Sequence, residues 1–220
     1  MKKLKDIKGF IFDLDGTLLD SMAVWMKIYE SLFTEHGKQM PDGYLYQVNH
    51  LSMAEGAKYT ANNTDIGLDE DSIAAFWKAK AQVKYASEIQ LKPYAREILE
   101  LLHKRGVLLG VATASNKQNV TPCLINNGIY ELFHSITSVD EVARGKDFPD
   151  IYLKQCEKFP LAYGDCAAVE DSYVGALSAK NGGLLSIGTY DESGRLHNAE
   201  LKQNCDIYFQ TLKELYEALL

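Results

Sequence analysis

Short runs of hydrophobic residues alternate with segments of helical periodicity along most of the chain. The runs are rich in Val, Ile and Phe and occupy Gly9–Leu14, Leu108–Ala114, Ser135–Val139, Asp165–Glu170, Leu184–Thr189 and Cys205–Phe209. Apolar positions at helical spacing follow at Ala95–Arg105, Val120–Asn127, Ile151–Lys158 and Tyr173–Asn181. Strands that alternate with helices, and that are hydrophobic throughout, predict an α/β fold whose parallel sheet is covered by helices on both faces.

The interval between the first hydrophobic run and Leu108 breaks this alternation. It has no strand pattern and contains three helical stretches instead, Ser21–His36, Ser52–Asn62 and Asp69–Glu88. We therefore predict two domains. A catalytic core comprises residues 1–18 and 91–220, and a small all-helical domain of residues 19–90 is inserted after the first strand.

Composition and charge exclude several classes of partner. The net charge is −7 without a block of Lys or Arg, which argues against nucleic acid. The N-terminal apolar run is short and meets acidic residues at once, and no apolar stretch has membrane-spanning length, so we expect neither a signal peptide nor a membrane partner. The four cysteines (Cys123, Cys156, Cys166 and Cys205) lie far apart, which is typical of reduced, buried thiols. We expect a cytoplasmic protein that is monomeric.

Chemically active side chains follow directly after four of the predicted strands. The carboxyl ends of parallel strands meet at one edge of the sheet, where α/β proteins bind their ligands. The residues at these ends are Asp13, Asp15, Gly16 and Thr17, then Thr113 with Ser115, then Lys146, and finally Glu170 and Asp171.

This set of residues fits phosphate chemistry that is assisted by a metal ion. If Asp13 attacks a phosphate dianion at about 3.5 Å, the repulsion is roughly 9 kcal/mol at an effective dielectric constant near 20. Lys146 alone does not offset that repulsion, whereas a divalent cation shared by Asp13 and Asp171 does, and oxygen ligands favour Mg²⁺. Asp15 is then a candidate general acid and base.

Four motifs resemble, in order, those of the haloacid dehalogenase (HAD) superfamily of phosphohydrolases. They are the DLDGT segment that begins at Asp13, Thr113, Lys146 in a GKxxPD context, and the triplet Glu170, Asp171 and Ser172. The resemblance covers essentially the whole chain, and the helical insert is similar to the cap of the β-phosphoglucomutase-like branch. It implies a Rossmann-like core with a helical cap.

The resemblance also implies a role for each motif residue. Asp13 would be the nucleophile that forms an aspartyl-phosphate, and Asp15 the acid and base. Mg²⁺ would be bound by Asp13, Asp171 and the backbone carbonyl of Asp15. Glu170 would lie next to these ligands or form an ion pair with Lys146. The small phosphorylated substrate would be held through its phosphate by Gly16, Thr17, Thr113, Ala114 and Lys146.

Residues at a few sequence positions distinguish the related activities of this superfamily. The mutases of this branch typically carry a histidine after the first motif and an arginine in the second cap helix, where this chain has Trp25 and Met53. Both differences favour a phosphatase over a sugar-phosphate mutase, and Asp15 argues against a dehalogenase. A catalytically silent binding module is the alternative from another class, although Asp13, Asp15 and Asp171 are all present. The leaving group of the substrate is left open.

Other conspicuous residues have plain structural interpretations. We predict that a helix starts at Pro149–Asp150 with Asp150 as its N-cap, and that Asp20 or Ser21 caps the first inserted helix. Trp25 fits the apolar face of that helix, and the alternative is that Trp25 or Met22 lines a substrate pocket.

Overall fold

A parallel sheet of six strands organises the residues that the structure, a computed structural model, describes, namely 4–48 and 51–220. Its strands are β1 (Gly9–Phe12), β2 (Leu108–Thr113), β3 (Ser135–Ser138), β4 (Cys166–Glu170), β5 (Leu185–Thr189) and β6 (Ile207–Phe209). Their order is β3-β2-β1-β4-β5-β6, and every pairing is parallel. The predicted Rossmann-like α/β fold is confirmed. The strand order reverses between β1 and β4, which is where this fold class binds ligands.

The chain divides into two compact units. The first joins the chain up to Asp20 to Gln90–Leu220 and contains the sheet, and the second is Ser21–Ile89. The second unit is helical, with α1 (Met22–Glu35), α2 (Tyr44–Val48), α3 (Met53–Asn63) and α4 (Glu70–Ser87). The assignment of residues 19–90 to a cap domain stays a prediction.

Aromatic side chains form the interior of the helical unit. The Trp25 Nε1 donates to the Tyr85 hydroxyl at 3.0 Å, and the Tyr29 ring meets the Trp77 ring edge to face at a centroid distance of 5.0 Å. Trp25 is only 9% exposed, whereas Met22 is half-buried. Trp25 is therefore a packing residue of this unit, which is the first of the two interpretations given above.

Helices cover the sheet of the first unit. They are α5 (Ala95–Lys104), α6 (Lys117–Asn126), α7 (Asp150–Glu157), α8 (Tyr173–Asn181), α9 (Asn198–Asn204) and α10 (Leu212–Leu219). On one face, Ile11 of β1 packs with Ile151 and Tyr152 of α7. The Phe10 and Phe12 rings stack at 6.0 Å and point to the opposite face, because successive residues of a strand alternate. Burial on both faces explains why these strands are hydrophobic throughout.

The predicted helix caps are confirmed only in part. Helix α7 does begin at Asp150, but Pro149 occupies the N-cap position and Asp150 is the first helical residue. The Asp150 carboxylate accepts instead from Nε and Nη2 of Arg144, at 3.1 and 2.6 Å. Ser21 is the N-cap of α1, yet its side chain makes no cap bond because its backbone is already helical (φ −103°, ψ −17°). Asp20 lies one residue before that position.

The cysteines behave as predicted. Cys123, Cys156, Cys166 and Cys205 are all buried and unbridged. Within residues 4–48 and 51–220, the helices are too short or too polar to cross a membrane.

Candidate active site

The chain forms a tight turn directly after β1. Asp13 extends the pairing with β4, because its amide donates to the Val169 carbonyl at 3.0 Å. The Leu14 carbonyl then accepts from the amides of Thr17, Leu18 and Leu19 at 2.8–3.2 Å. Gly16 lies inside the turn with a φ of +85°, and a Cβ there would overlap the Asp171 carboxylate. Only glycine meets both demands without strain.

Three carboxylates from neighbouring strands meet beside this turn. Asp13 follows β1, while Glu170 ends β4 and Asp171 follows it, and one oxygen of each lies within 4.8 Å of the others. All three side chains are buried, and the hydroxyl of Thr17 donates to Oδ1 of Asp171 at 3.0 Å. Buried carboxylates at this spacing are unfavourable unless a cation lies among them.

Lys146 brings positive charge into this cluster. Its ammonium group contacts Oδ1 of Asp13 and lies 2.6 Å from Oε1 of Glu170. Glu170 also accepts from the hydroxyls of Tyr152, at 2.6 Å, and Ser172, at 2.9 Å. The carboxylate of Glu170 is thus engaged on both oxygens and serves as the partner of Lys146.

Burial changes the protonation of the cluster. It raises the pKa of Asp13 well above the usual value, and the Lys146 charge offsets only part of that rise. It also raises the pKa of Asp171 to about 7, with further contributions from the Glu170 and Asp191 charges. Burial by itself would lower the pKa of Lys146, but the Asp13 and Glu170 charges raise it above its ordinary value. Lys146 therefore stays charged, and one cation does not satisfy the three acids.

The second strand supplies hydroxyl groups on the side of Asp15. Asp15 is half-buried, and its Oδ2 accepts from the Ser115 hydroxyl at 2.8 Å. The Ser115 amide donates in turn to Oγ1 of Thr113, which is fully buried, at 3.0 Å. Ala114 between them is exposed. Asp15 thus combines a fixed orientation with the access that a proton-transfer group needs.

The donor set fits Mg²⁺. Three buried carboxylates from adjacent strands offer hard oxygen ligands, and Lys146 neutralises no more than part of their charge. Asp13 and Asp171 are the better candidates for ligands, because Glu170 is already held by Lys146, Tyr152 and Ser172.

The sequence motifs also match a known family model. Residues 7–183 match the model of the haloacid dehalogenase-like hydrolases. The chain belongs to the haloacid dehalogenase-like hydrolase family. The matched region runs from before β1 to beyond α8, so it includes Asp13, Lys146 and Asp171.

Individual members of this family align with nearly the whole chain. The validoxylamine A 7'-phosphate phosphatase of Streptomyces hygroscopicus subsp. limoneus is 27% identical, with 94% of this chain and 95% of that protein covered. The β-phosphoglucomutase of Bacillus subtilis is 25% identical, with 96% of each covered. Among solved structures, CbbY of Rhodobacter sphaeroides superposes with a TM-score of 0.83 at 23% identity, over 95% of this chain and 96% of that one. The structural likeness shows the fold.

The structure of this haloacid dehalogenase-like hydrolase brings most of the predicted site residues together. Six of them lie together at one place, namely Asp13, Gly16, Thr17, Lys146, Glu170 and Asp171. Asp15 is connected to the end of β2 by its hydrogen bond with Ser115. Thr17, a predicted phosphate ligand, places its hydroxyl on Asp171. Sequence reasoning missed Tyr152, because a tyrosine on the apolar face of a helix is usually a packing residue. The one available signal was that a buried tyrosine hydroxyl needs a partner.

Proposed function

We propose that this protein is a Mg²⁺-dependent phosphatase that hydrolyses a small phosphate monoester through an aspartyl-phosphate intermediate. The observation that carries the proposal is the position of Asp13, a buried carboxylate that contacts Lys146 and lies within 4.8 Å of an Asp171 oxygen, with the half-buried Asp15 two residues away. The 27% sequence identity between this chain and a protein named as a phosphatase, along 94% of the chain, supports this reaction class.

In the first step, an oxygen of Asp13 attacks phosphorus and the bond from phosphorus to the leaving oxygen breaks. Asp15, in its protonated form, donates its proton to that oxygen, which leaves as an alcohol. The Lys146 ammonium beside Asp13 stabilises the negative charge of the transferred group. Contacts from Gly16, Thr17, Thr113 and Ala114 to the phosphate stay predictions.

In the second step, Asp15 is a carboxylate and takes a proton from water. The resulting hydroxide attacks phosphorus, and the bond between phosphorus and the Asp13 oxygen breaks. Inorganic phosphate leaves, Asp13 is again a carboxylate and Asp15 is again protonated, so the cycle closes. The Ser115 hydroxyl that donates to Asp15 at 2.8 Å would orient it in both steps.

Mg²⁺, when bound, would offset the repulsion between Asp13 and an anionic phosphate. Asp13 and Asp171 would hold it, together with the predicted backbone carbonyl of Asp15. Thr17 would orient Asp171 through the hydrogen bond described above.

A sugar-phosphate mutase is the related alternative, since a β-phosphoglucomutase also aligns with the chain. Where mutases of this branch typically have a histidine, this chain has Trp25, whose indole is buried and bonded to Tyr85. A side chain packed in this way does not exchange protons with a substrate, which supports hydrolysis over isomerisation.

The test is Mg²⁺-dependent phosphate release from a panel of sugar, polyol and nucleoside monophosphates. We expect wild-type protein to hydrolyse one chemical group of compounds selectively. Asp13→Asn should reduce the rate by roughly 1,000-fold or more, because the nucleophile is removed. The fold should persist, since the amide is similar in shape to the carboxylate.

A matched control removes a carboxylate at the other end of the sheet. Asp165 precedes β4 and pairs with the exposed Lys8 at 3.3 Å, so Asp165→Asn should retain activity within about twofold. Substantial turnover by pure Asp13→Asn protein would refute the nucleophile. Isomerisation of a sugar phosphate without net phosphate release would instead identify a mutase.

A further inference from the structure

Lys92 lies outside every motif discussed above, yet all the hydrogen-bonding capacity of its ammonium group is used. It donates to the Gly16 carbonyl at 2.7 Å, to the Tyr190 carbonyl at 3.2 Å and to Oδ2 of Asp191 at 2.9 Å. The Lys92 side chain is 18% exposed and that of Asp191 is 12% exposed. A lysine held by three acceptors at this burial is a fixed part of the structure rather than a mobile surface charge.

The three acceptors belong to two loops that are not neighbours in the sheet. Gly16 is in the turn after β1, whereas Tyr190 and Asp191 follow β5. Strand β4 lies between β1 and β5, and Asp171 follows its carboxyl end. Lys92 therefore joins the two loops that flank Asp171.

The β1 loop contacts Asp171, and the β5 loop lies close to it. On the β1 side, Thr17 donates to its Oδ1 at 3.0 Å, and Gly16 packs so closely against the carboxylate that a Cβ would overlap it. On the β5 side, Gly194 approaches the Asp171 backbone, because a Cβ there would lie 3.4 Å from the Asp171 carbonyl oxygen. The β1 loop thus holds the Asp171 carboxylate and the β5 loop lies beside the Asp171 backbone, so Asp171 is placed between the two loops that Lys92 joins.

The Lys92–Asp191 pair is itself well anchored. The Lys92 amide donates to the Leu18 carbonyl at 2.8 Å, and its own carbonyl accepts from the Ala95 amide at 3.1 Å. Oδ1 of Asp191 accepts from the amide and the hydroxyl of Ser193, at 2.9 and 2.6 Å. The ion pair therefore joins two residues, each of which is held in place by further hydrogen bonds.

The contribution of Lys92 is geometric rather than electrostatic. Its positive charge by itself would repel a cation at Asp171, and the adjacent Asp191 charge opposes that effect. The pair therefore adds little net charge to the site, and what it supplies is a fixed separation between the loops.

We propose that Lys92 is a positioning residue for Mg²⁺ at Asp171, which it serves by tying the turn at Gly16 to the loop at Asp191. The proposal rests on the proposed function only in taking Mg²⁺ as the cation of the site, and no step of hydrolysis enters it.

The test is the Mg²⁺ affinity of metal-free full-length protein, measured by isothermal titration calorimetry with MgCl₂ at pH 8.5, where protons compete little for the carboxylates. Lys92→Met should weaken Mg²⁺ binding by about 10- to 100-fold, as is typical when a residue that orients a metal ligand is lost. A purely electrostatic role predicts the opposite, tighter binding, because a positive charge is removed near the site.

Lys158→Met is the matched control. Lys158 also donates to a backbone carbonyl, of Ile136, and to a carboxylate, of Glu141, both at 2.9 Å, and it is 25% exposed. Its bonds join β3 to the segment that follows it, away from Asp171. We expect a lower melting temperature for this variant with Mg²⁺ affinity within about twofold of wild type.

The outcomes are separable. Unchanged or tighter Mg²⁺ binding by folded Lys92→Met protein overturns the proposal, as does a wild-type protein that binds no Mg²⁺. If the unpaired Asp191 prevents folding, the double variant Lys92→Met with Asp191→Asn removes both charges, and the same loss of affinity is expected. If wild-type protein binds Mg²⁺ but hydrolyses no ester, the proposed function fails while the affinity comparison still decides the role of Lys92.

Discussion

Asp171 shows at the scale of one residue what the candidate site demands of the fold. Its carboxylate is buried beside Glu170 and near Asp191, and these surroundings raise its pKa to about 7. Holding such a group ionised is unfavourable for the folded protein, so the metal-free site is a source of instability that a bound cation removes. Functional sites commonly combine burial and like charges in this way.

A pH-dependent stability follows from this pKa. The unfolded carboxyl group ionises near 3.8 and the folded one near 7, so the folded state binds the proton more tightly. The stabilisation from that proton is complete below pH 4 and is lost as the pH rises to about 7. In EDTA, Asp171→Asn should match wild type near pH 4 and exceed it at pH 8 by up to about 4 kcal/mol.

Chemical denaturation of both proteins between pH 4 and pH 8.5 measures this difference. A stability difference that does not change with pH would show that the Asp171 carboxyl group does not carry a raised pKa. Excess Mg²⁺ at pH 8 should reverse the order of the two proteins, because only wild-type protein retains the ligand.

At the scale of an element, the turn after β1 connects backbone geometry to the site. Gly16 has a φ of +85° and leaves no room for a side chain against Asp171. Its carbonyl is also an acceptor for Lys92. This one short turn thus follows Asp13 directly, packs against the Asp171 carboxylate and accepts the hydrogen bond from Lys92, which also binds the loop after β5.

Gly16→Ala should therefore abolish Mg²⁺ binding and phosphatase activity. Gly106→Ala separates backbone strain from overlap, because Gly106 has a similar φ of +73° and a methyl group there would have no other atom within 4 Å. Gly106→Ala should cost about 1–2 kcal/mol of stability and leave activity intact. Activity measurements and thermal unfolding of both variants check this, and an active Gly16→Ala protein would contradict the role of the turn.

The helices of the first unit show which local sequence signals are enough to predict a helix. The apolar spacing predicts a helix at Tyr173–Asn181, and α8 has these bounds; in the structure Ser172 is its N-cap and accepts from the Gly175 amide. Helix α10 was missed although Thr211 caps it through the Glu214 amide, a recognisable start signal. Helix α9 has no such signal, because its N-cap His197 makes no cap bond, and its only buried residue is Leu201. Its existence follows from packing on its neighbours rather than from local sequence.

At the scale of the whole molecule, two compact units share one chain, and their interiors differ. The first has the sheet and the buried charges, while the second has an aromatic interior that includes Trp25 and Trp77, the two tryptophans of the chain. Tryptophan fluorescence therefore reports on the helical unit, and circular dichroism reports on both. Comparing the two probes tests whether the molecule unfolds in a single transition.

A competent site should stabilise the molecule when it binds a phosphoryl mimic. We expect Mg²⁺ with beryllium fluoride, at about 100 times the dissociation constant, to raise the melting temperature by roughly 5–10 °C. Asp13→Asn should show no such shift, because the mimic bonds to the aspartate oxygen. An unshifted wild-type melting curve would favour the catalytically silent binding module.

The sequence by itself determined the succession of the six strands, most of the helices between them and the residues at the strand ends. Hydrophobic runs that end in Asp13, Thr113 and Glu170 are local patterns, and a parallel sheet necessarily gathers such ends along one edge. For that reason Asp13, Lys146 and Asp171 could be assigned to one site from the sequence.

Only the tertiary structure decided which side chains hold these groups in place. Tyr152 reaches Glu170 from a helix, Ser115 reaches Asp15 from the end of the neighbouring strand β2, and Lys92 joins the two loops on either side of β4. Each of these contacts joins residues far apart in sequence, and no local pattern distinguishes their side chains from ordinary packing or surface residues. Such contacts exist only after the sheet has brought its loops together, and that is why they had to be seen in the structure.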